Sequence, residues 1–191
     1  MARTPSTMLK LGTQAPGFSL LEPLSNSIRS LSEFENQPVL IVFSCNHCPY
    51  VLHIIQSFCD MATHYQAKGL QTIWINSNDV ENYSDDSPEK MIQLSNEYNF
   101  SFPYLYDETQ QMARSYQAAC TPDLFLFDAA HKLVYRGQYD SSRPGNEEAV
   151  SGDDLKQAID ALLSGRSVSL EQTPSLGCNV KWKVGNEPEY F

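Results

Sequence analysis

Apolar residues occur along the chain in short runs, and their spacing changes from one run to the next. Residues 39–43 form a continuous apolar run, which is typical of a strand buried on both faces. Apolar residues then recur at helical spacing between 51 and 65, and Gly69 marks the end of that helix. Residues 70–75 indicate the next strand, so this part of the chain predicts a parallel βαβ unit.

Shorter patterned segments flank this unit on both sides. Before it, residues 18–21 and 28–31 predict a hairpin. After it, Ser87 and Pro88 indicate the start of one helix. Ser151 with Asp154 resembles a capping box at the start of another, which ends at Gly165. The further elements predicted are helices at 88–98, 109–116 and 155–163, a strand at 104–106, and two antiparallel strands at 124–127 and 133–136.

The predicted order of elements favours one α/β domain over residues 1–165. Residues 166–191 contain two prolines and no clear period, so we expect a tail packed on that domain. The net charge of −10 disfavours nucleic acid and anionic membranes as partners. We find no secretory signal and no apolar run of about 20 residues, and therefore expect a cytoplasmic protein. Five cysteines, an odd number, favour reduced and reactive thiols over a disulfide framework.

Two of these cysteines form a CxxC motif between the buried strand and the following helix. Cys45, Asn46, His47 and Cys48 precede Pro49, which suits the first turn of a helix. The helix N-terminus stabilises a thiolate, and the spacing brings two sulfurs within disulfide reach. We expect the more exposed Cys45 to attack a disulfide and Cys48 to resolve the mixed disulfide, while His47 adds positive charge.

Metal binding is the main competing explanation for a CxxC motif. No second CxxC and no HxxxH is present, and His47, His53 and Cys59 complete no recognised ligand spacing. We therefore expect neither a metal nor an organic cofactor. Two further functions stay open: a copper or zinc carrier that uses the CxxC and a nearby histidine, and a binding module that needs neither cysteine.

Three parts of the sequence, the CxxC region among them, resemble the thioredoxin superfamily and, within it, the peroxiredoxin-like redoxin branch related to AhpC/TSA proteins. They are the FSCNHCP segment at 43–49, Thr121-Pro122, and RGQYD at 136–140 with 142–144; PSLGCNVKWK at 174–183 is similar to a CxxC-bearing subgroup. The resemblance implies a thioredoxin fold, in which a mixed sheet is flanked by helices, with an N-terminal hairpin and a C-terminal extension. It also implies that Pro122 is a cis-proline facing the cysteines and that the Thr121 backbone is free to pair with an extended substrate.

The chain departs from the peroxiredoxin pattern at two positions. Cys45 occupies the place of the threonine in the peroxiredoxin TxxC motif, while Cys48-Pro49 matches the peroxidatic Cys-Pro. No arginine lies just before residues 124–127, where peroxiredoxins have one and this chain has Thr121-Pro122-Asp123. These departures favour exchange with a disulfide-bearing protein or a small oxidised thiol, with an external dithiol as reductant. The alternative is a thiol peroxidase in which Cys48 is oxidised by peroxide and Cys45 resolves it.

The remaining cysteines and the acidic loop have weaker signals. We expect Cys59 to be a core residue, because it lies too far along the helix to reach Cys48. Cys120 is either an auxiliary thiol or a packed side chain, and Cys178 is either a third thiol carried by a mobile tail or a residue that docks the tail. The acidic stretch at 78–86 lacks EF-hand spacing and is expected to be a solvated loop.

Overall fold

Strands from the whole length of the chain form two sheets in the computed structural model, which describes residues 3–190. The strands are β1 (Arg3–Pro5), β2 (Ser19–Glu22), β3 (Ser27–Ser30), β4 (Val39–Phe43), β5 (Gln71–Asn76), β6 (Tyr104–Tyr106), β7 (Cys120–Thr121), β8 (Asp123–Phe127), β9 (Leu133–Tyr135) and β10 (Leu176–Asn179). The α-helices are α1 (Pro49–Gln66), α2 (Pro88–Glu97), α3 (Gln111–Ser115) and α4 (Asp153–Leu163), and 3-10 turns occur at Leu31–Phe34 and Ser84–Asp86.

The central sheet has seven strands in the order β3-β2-β6-β5-β4-β8-β9. Strands β4, β5 and β6 are parallel, whereas the strands at both edges pair antiparallel. This mixed sheet, the β2–β3 hairpin and the α/β order confirm the predicted fold class.

The alternation of side chains along β4 divides the interior into two cores. Leu40 and Val42 face a core that also contains the apolar sides of α1, α2 and α4. Val39, Ile41 and Phe43 face the opposite core, which receives Ala113 of α3 and Trp182 of the C-terminal segment. Successive side chains of a strand point to opposite faces, so one apolar strand supplies both cores and helices cover both faces of the sheet.

The second sheet has three strands in the order β1-β10-β7, all antiparallel. Its central strand, β10, lies in the stretch after residue 165, where the sequence has no clear period and no strand was predicted. The segment after residue 165 is therefore ordered by pairing, and it joins residues 3–5 to the strand that precedes Pro122.

Most predicted elements are found within one or two residues of their expected ends. The starts of two helices each differ by two residues from the predicted ones. Helix α4 begins at Asp153 rather than 155, and its N-cap is Gly152 with a φ of 70°, not Ser151. Helix α3 is confined to five residues and follows Gln110, whose φ is 62°. A residue in the left-handed region sets both starts, and the sequence pattern of a capping box did not reveal this. Within residues 3–190, no helix is long and apolar enough to cross a membrane.

Candidate active site

The two cysteines of the CxxC motif lie at the carboxyl end of β4 and the beginning of α1. Cys48 is the N-cap of α1, Pro49 follows in its first turn, and Cys45 lies in the connecting turn. Both cysteines are buried, with 1% of Cys45 and none of Cys48 exposed. The expected difference in exposure, on which the attack was assigned to Cys45, is therefore absent.

Thr121 contacts both sulfurs from the facing strand. Its peptide bond to Pro122 is cis, as the resemblance implied. Its Oγ1 lies 3.4 Å from Cys45 Sγ, and the protonated Cys48 thiol donates a hydrogen bond of 3.1 Å to the Thr121 carbonyl. Thr121 and Pro122 are both buried. One residue therefore contacts both thiols at the positive end of a helix.

Asp86 fixes the turn between the two cysteines, although it is far away in the sequence. Its Oδ1 accepts the Asn46 backbone N–H at 2.8 Å, and its Oδ2 lies 2.9 Å from His47 Nδ1. The same Oδ2 accepts a hydrogen bond of 2.7 Å from the Asn78 side chain. Asp86 is fully buried, and Asn78 and Asp79 are buried as well. The prediction of a solvated loop is therefore wrong at these residues, because the loop folds inward to satisfy the turn.

The side chains of the two intervening residues are also held. Asn46 donates to the Asp85 carbonyl at 2.9 Å and accepts the Tyr104 hydroxyl at 3.0 Å. The His47 ring is stacked parallel to the Tyr83 ring, with centroids 6.1 Å apart. These contacts give the turn a fixed conformation. Asp86 and Tyr104, which make two of the contacts, were not identified from the sequence.

Cys178 lies directly opposite Thr121 in the pairing of β10 with β7. Directly opposed residues of an antiparallel pair project from the same face, so Cys178 projects to the side on which Thr121 contacts Cys45. The Cys178 and Cys48 side chains are near enough for each to affect the pKa of the other. The Thr121 backbone, expected to be free for a substrate, is therefore paired with this chain's own tail. The tail is a docked strand rather than a mobile one.

The three neighbouring thiols ionise unequally. Hydrogen bonds from Cys178 and then from Cys45 hold the Cys48 pKa well below its usual range. Burial, followed by the contact with Cys48 and the charge of Asp86, raises the Cys45 pKa. The hydrogen bond to Cys48 and burial raise the Cys178 pKa. Of the three, Cys48 is the thiol whose pKa favours the thiolate, which is the nucleophilic form, and forming it gives up the hydrogen bond to the Thr121 carbonyl.

The pKa of His47 is raised above 6.5, chiefly by its contact with Asp86 and against the effect of burial. A protonated His47 forms an ion pair with Asp86 beside the thiols. Cys45 Sγ, a ring nitrogen of His47 and a carboxylate oxygen of Asp86 all lie within 4.8 Å of one another. A thiolate, an imidazole and a carboxylate are ligands suited to zinc, so these three residues could hold a metal ion.

Other candidate residues lie away from the two sulfurs. Cys120, next to Thr121, leaves β7 on the opposite face, and its thiol donates to the Pro122 carbonyl at 3.6 Å. Cys59 packs in the core as expected. Arg136 is buried against Asp123, and Arg143 donates to the carbonyls of Asp140 and Ser142 at 2.6 Å. The arginines of the 136–140 and 142–144 segments are therefore engaged with groups other than the two sulfurs.

The space around Pro122 is small. A cleft of about 20 Å³ lies between the start of α1, Pro122 and Leu176 of β10. Such a volume holds about one water molecule. Since both sulfurs are buried and this cleft is so small, a molecule larger than water would reach them only if part of the surrounding structure moved.

Comparison with known proteins decides the family. The family model described as AhpC/TSA matches residues 11–136, about two thirds of the chain. The chain belongs to the AhpC/TSA family. Two solved structures are similar to this AhpC/TSA protein over nearly its whole length. An uncharacterized conserved protein of Geobacillus kaustophilus is 46% identical with a TM-score of 0.94, covering 96% of this chain and 97% of its own.

The second is a hypothetical protein of Sinorhizobium meliloti, 41% identical with a TM-score of 0.93, covering 95% of this chain and 100% of its own. A secreted disulfide oxidoreductase of Mycobacterium tuberculosis is 17% identical with a TM-score of 0.58, covering 76% of this AhpC/TSA protein and 96% of its own chain. At that identity the likeness shows the thioredoxin-like fold alone. No match was found among curated proteins.

Proposed function

We propose that this protein is a thiol–disulfide oxidoreductase that uses Cys45 and Cys48 as its dithiol. The observation that carries the proposal is the contact of both sulfurs with Thr121, at 3.4 and 3.1 Å, at the N-terminus of α1. The AhpC/TSA membership supports a redox role in general. The disulfide oxidoreductase named above shares the fold, which supports exchange with disulfides.

We assign the first attack to Cys48, because its pKa is lowered whereas that of Cys45 is raised. Its thiolate attacks one sulfur of a substrate disulfide, the substrate's S–S bond breaks, and the released thiolate takes a proton. Cys45 then loses its proton and attacks the Cys48 sulfur, which releases the second substrate thiol. Two electrons and two protons pass to the substrate, and an external dithiol reduces the Cys45–Cys48 disulfide again. From the sequence we expected Cys45 to attack first. The two cysteines are equally buried, however, and only Cys48 has a lowered pKa.

The test compares the wild type with cysteine variants in the reduction of oxidised glutathione and of insulin disulfides, with dithiothreitol as reductant. We expect turnover in the wild type and none in Cys48→Ser. In Cys45→Ser/Cys178→Ser a mixed disulfide should accumulate on Cys48, because both neighbouring thiols are gone. Cys59→Ala, which removes a core thiol from the same helix, is the matched control and should keep its turnover. Peroxide consumption without disulfide reduction in the wild type would instead support the peroxidase function.

A metal carrier is the second candidate, because Cys45, His47 and Asp86 offer three ligands within 4.8 Å of one another. Redox exchange is favoured over it, since both Asp86 oxygens already have partners that a metal ion would displace. We expect protein purified under reducing conditions to hold well below stoichiometric zinc or copper. Stoichiometric metal that is lost in both Cys45→Ser and His47→Asn would support carriage.

A further inference from the structure

The tail strand β10 occupies the position at which an extended substrate would pair with β7. In the described residues, Thr121 pairs with Cys178 and Cys120 pairs with Asn179. A peptide disulfide bound along β7 would place a substrate cysteine beside the CxxC sulfurs. The chain's own segment places a cysteine there instead, so β10 has the arrangement of an internal substrate.

Two independent contacts bring the three sulfurs together. Cys48 reaches the carbonyl of Thr121, and Cys45 reaches its hydroxyl. Cys178 lies opposite the same residue, and the side chains of all three cysteines belong to one buried cluster. Opposed residues in an antiparallel pair have Cβ atoms about 5 Å apart, so Cys178 approaches the pair from the strand while Cys48 approaches it from the helix.

The close approach of β10 depends on a glycine. A Cβ added to Gly177 would lie 2.0 Å from the Thr121 carbonyl oxygen, so any larger residue there pushes the two strands apart. Beyond the strand, Val180 N–H donates to the Ala119 carbonyl at 3.1 Å, and Lys181 N–H donates to Asn78 Oδ1 at 2.8 Å. On the other side of the cysteine, the Ser175 hydroxyl donates to the Pro122 carbonyl at 3.0 Å, so the tail is held both before and after Cys178.

We propose that Cys178 is a third redox-active thiol that exchanges with Cys48, an inference that rests on the proposed use of the CxxC dithiol. Cys178 attacks the Cys48 sulfur of the Cys45–Cys48 disulfide as it loses its proton. The Cys48–Cys178 bond forms, the Cys45–Cys48 bond breaks, and Cys45 leaves as a thiolate that takes the proton released by Cys178. The step moves the disulfide onto the tail without net gain or loss of electrons.

The test uses Cys45→Ser, which leaves Cys48 to react with either Cys178 or Cys120. Oxidised glutathione forms a mixed disulfide on Cys48, and attack by Cys178 then releases glutathione. We expect peptide mapping without reduction to find the Cys48–Cys178 disulfide in monomeric protein, at least about tenfold more abundant than Cys48–Cys120. Because Cys120 neighbours Thr121 on the opposite face, it is an internal control for non-specific oxidation.

Glutathione that stays on Cys48, or disulfides only between chains, would overturn the proposal. A second substitution, Gly177→Ala, removes no cysteine and should move β10 away from β7. We expect it to lower the yield of Cys48–Cys178 in the Cys45→Ser background at least about tenfold. Gly17→Ala, where an added Cβ meets nothing within 4 Å, should leave the yield unchanged. An unchanged yield in Gly177→Ala would count equally against the proposed geometry.

This inference and the proposed function fail in different ways. If the wild type reduces disulfides but no Cys48–Cys178 bond is found, the inference is wrong and the dithiol function stands. If the bond forms but the wild type reduces neither oxidised glutathione nor insulin, the function is wrong and the contact between the two cysteines stands.

Discussion

Two buried aspartates support different segments of the site, and each faces a cation of different chemistry. Asp123 directly follows Pro122 and is bound by both terminal nitrogens of Arg136, with both side chains fully buried. Asp86 lies under the CxxC turn and faces His47, whose side chain is 21% exposed. The first pair supports the Thr121–Pro122 strand, and the second supports the turn that carries the cysteines.

The difference between arginine and histidine separates a permanent support from a conditional one. An arginine side chain stays charged at any pH a folded protein meets, and Arg136 also stacks 3.7 Å above the Phe125 ring. Histidine changes charge near neutral pH. We therefore expect the Pro122 side of the site to be insensitive to pH and the CxxC side to respond to it.

The largest expected effect comes from breaking the permanent pair. Arg136→Met leaves the buried Asp123 carboxylate without its partner and should lower the free energy of unfolding by about 3–5 kcal/mol, measured by urea denaturation. Arg114→Met, at an exposed position, is the control and should change it by less than about 0.5 kcal/mol. If Arg136→Met were as stable as the control, the pair would not be what holds β8 beside the thiols.

A smaller effect is expected from the other aspartate. Asp86→Asn keeps the shape of the side chain but removes its charge. It also replaces one carboxylate oxygen by an NH2 group, which cannot accept the hydrogen bond that Asn78 donates to Asp86 Oδ2. We expect the free energy of unfolding to fall by about 1–3 kcal/mol. The pKa of His47 should fall toward 6.5, because Asp86 is the main cause of its increase, and NMR titration of the imidazole would measure this.

Asp85→Asn is the matched control for that measurement. Asp85 lies in the same 3-10 turn but is exposed, so its replacement should leave the His47 pKa in place. An equal fall in both variants would mean that the general negative charge of the loop, rather than the Asp86 contact, raises the His47 pKa.

The smallest expected effect is a pH dependence of stability. The folded-state pKa of His47 is raised, so its stabilising contribution is fully present below its unfolded pKa near 6.5 and is lost as pH rises through the folded pKa. His47→Gln should therefore be less stable than the wild type at about pH 5.5 and nearly equal to it at about pH 8.5, by urea unfolding. Solvent screens a partly exposed pair, so the difference should stay below about 1 kcal/mol. A difference that grows with pH would contradict the assignment.

The centre of the fold was predictable because its segments carry a periodic pattern. The apolar run of β4, the helical spacing of α1 and Pro49 placed the cysteines at a helix N-terminus, which the structure confirms. Strand β10 was not predictable in this way. Gly177 and Cys178 form no alternating apolar pattern, and their order comes from pairing with strands more than 50 residues away in the sequence.

The contribution of Asp86 was hidden for a different reason. It belongs to a run of acidic and polar residues whose composition is typical of a solvated loop, and only the folded turn offers it the Asn46 N–H and the His47 imidazole. The position of Cys178 could be suspected from the resemblance of its segment, but its place opposite Thr121 required the tertiary structure. A buried charge and a paired tail both depend on partners that no local pattern encodes.

The burial of all three sulfurs has a kinetic consequence. Cys45, Cys48 and Cys178 are each at most 3% exposed, so a bulky alkylating reagent reaches them only during a local opening. The apparent rate of alkylation would then level off at high reagent concentration, at the rate constant of that local opening. Such a plateau would measure the local opening of the three-stranded sheet rather than the intrinsic nucleophilicity of any one sulfur.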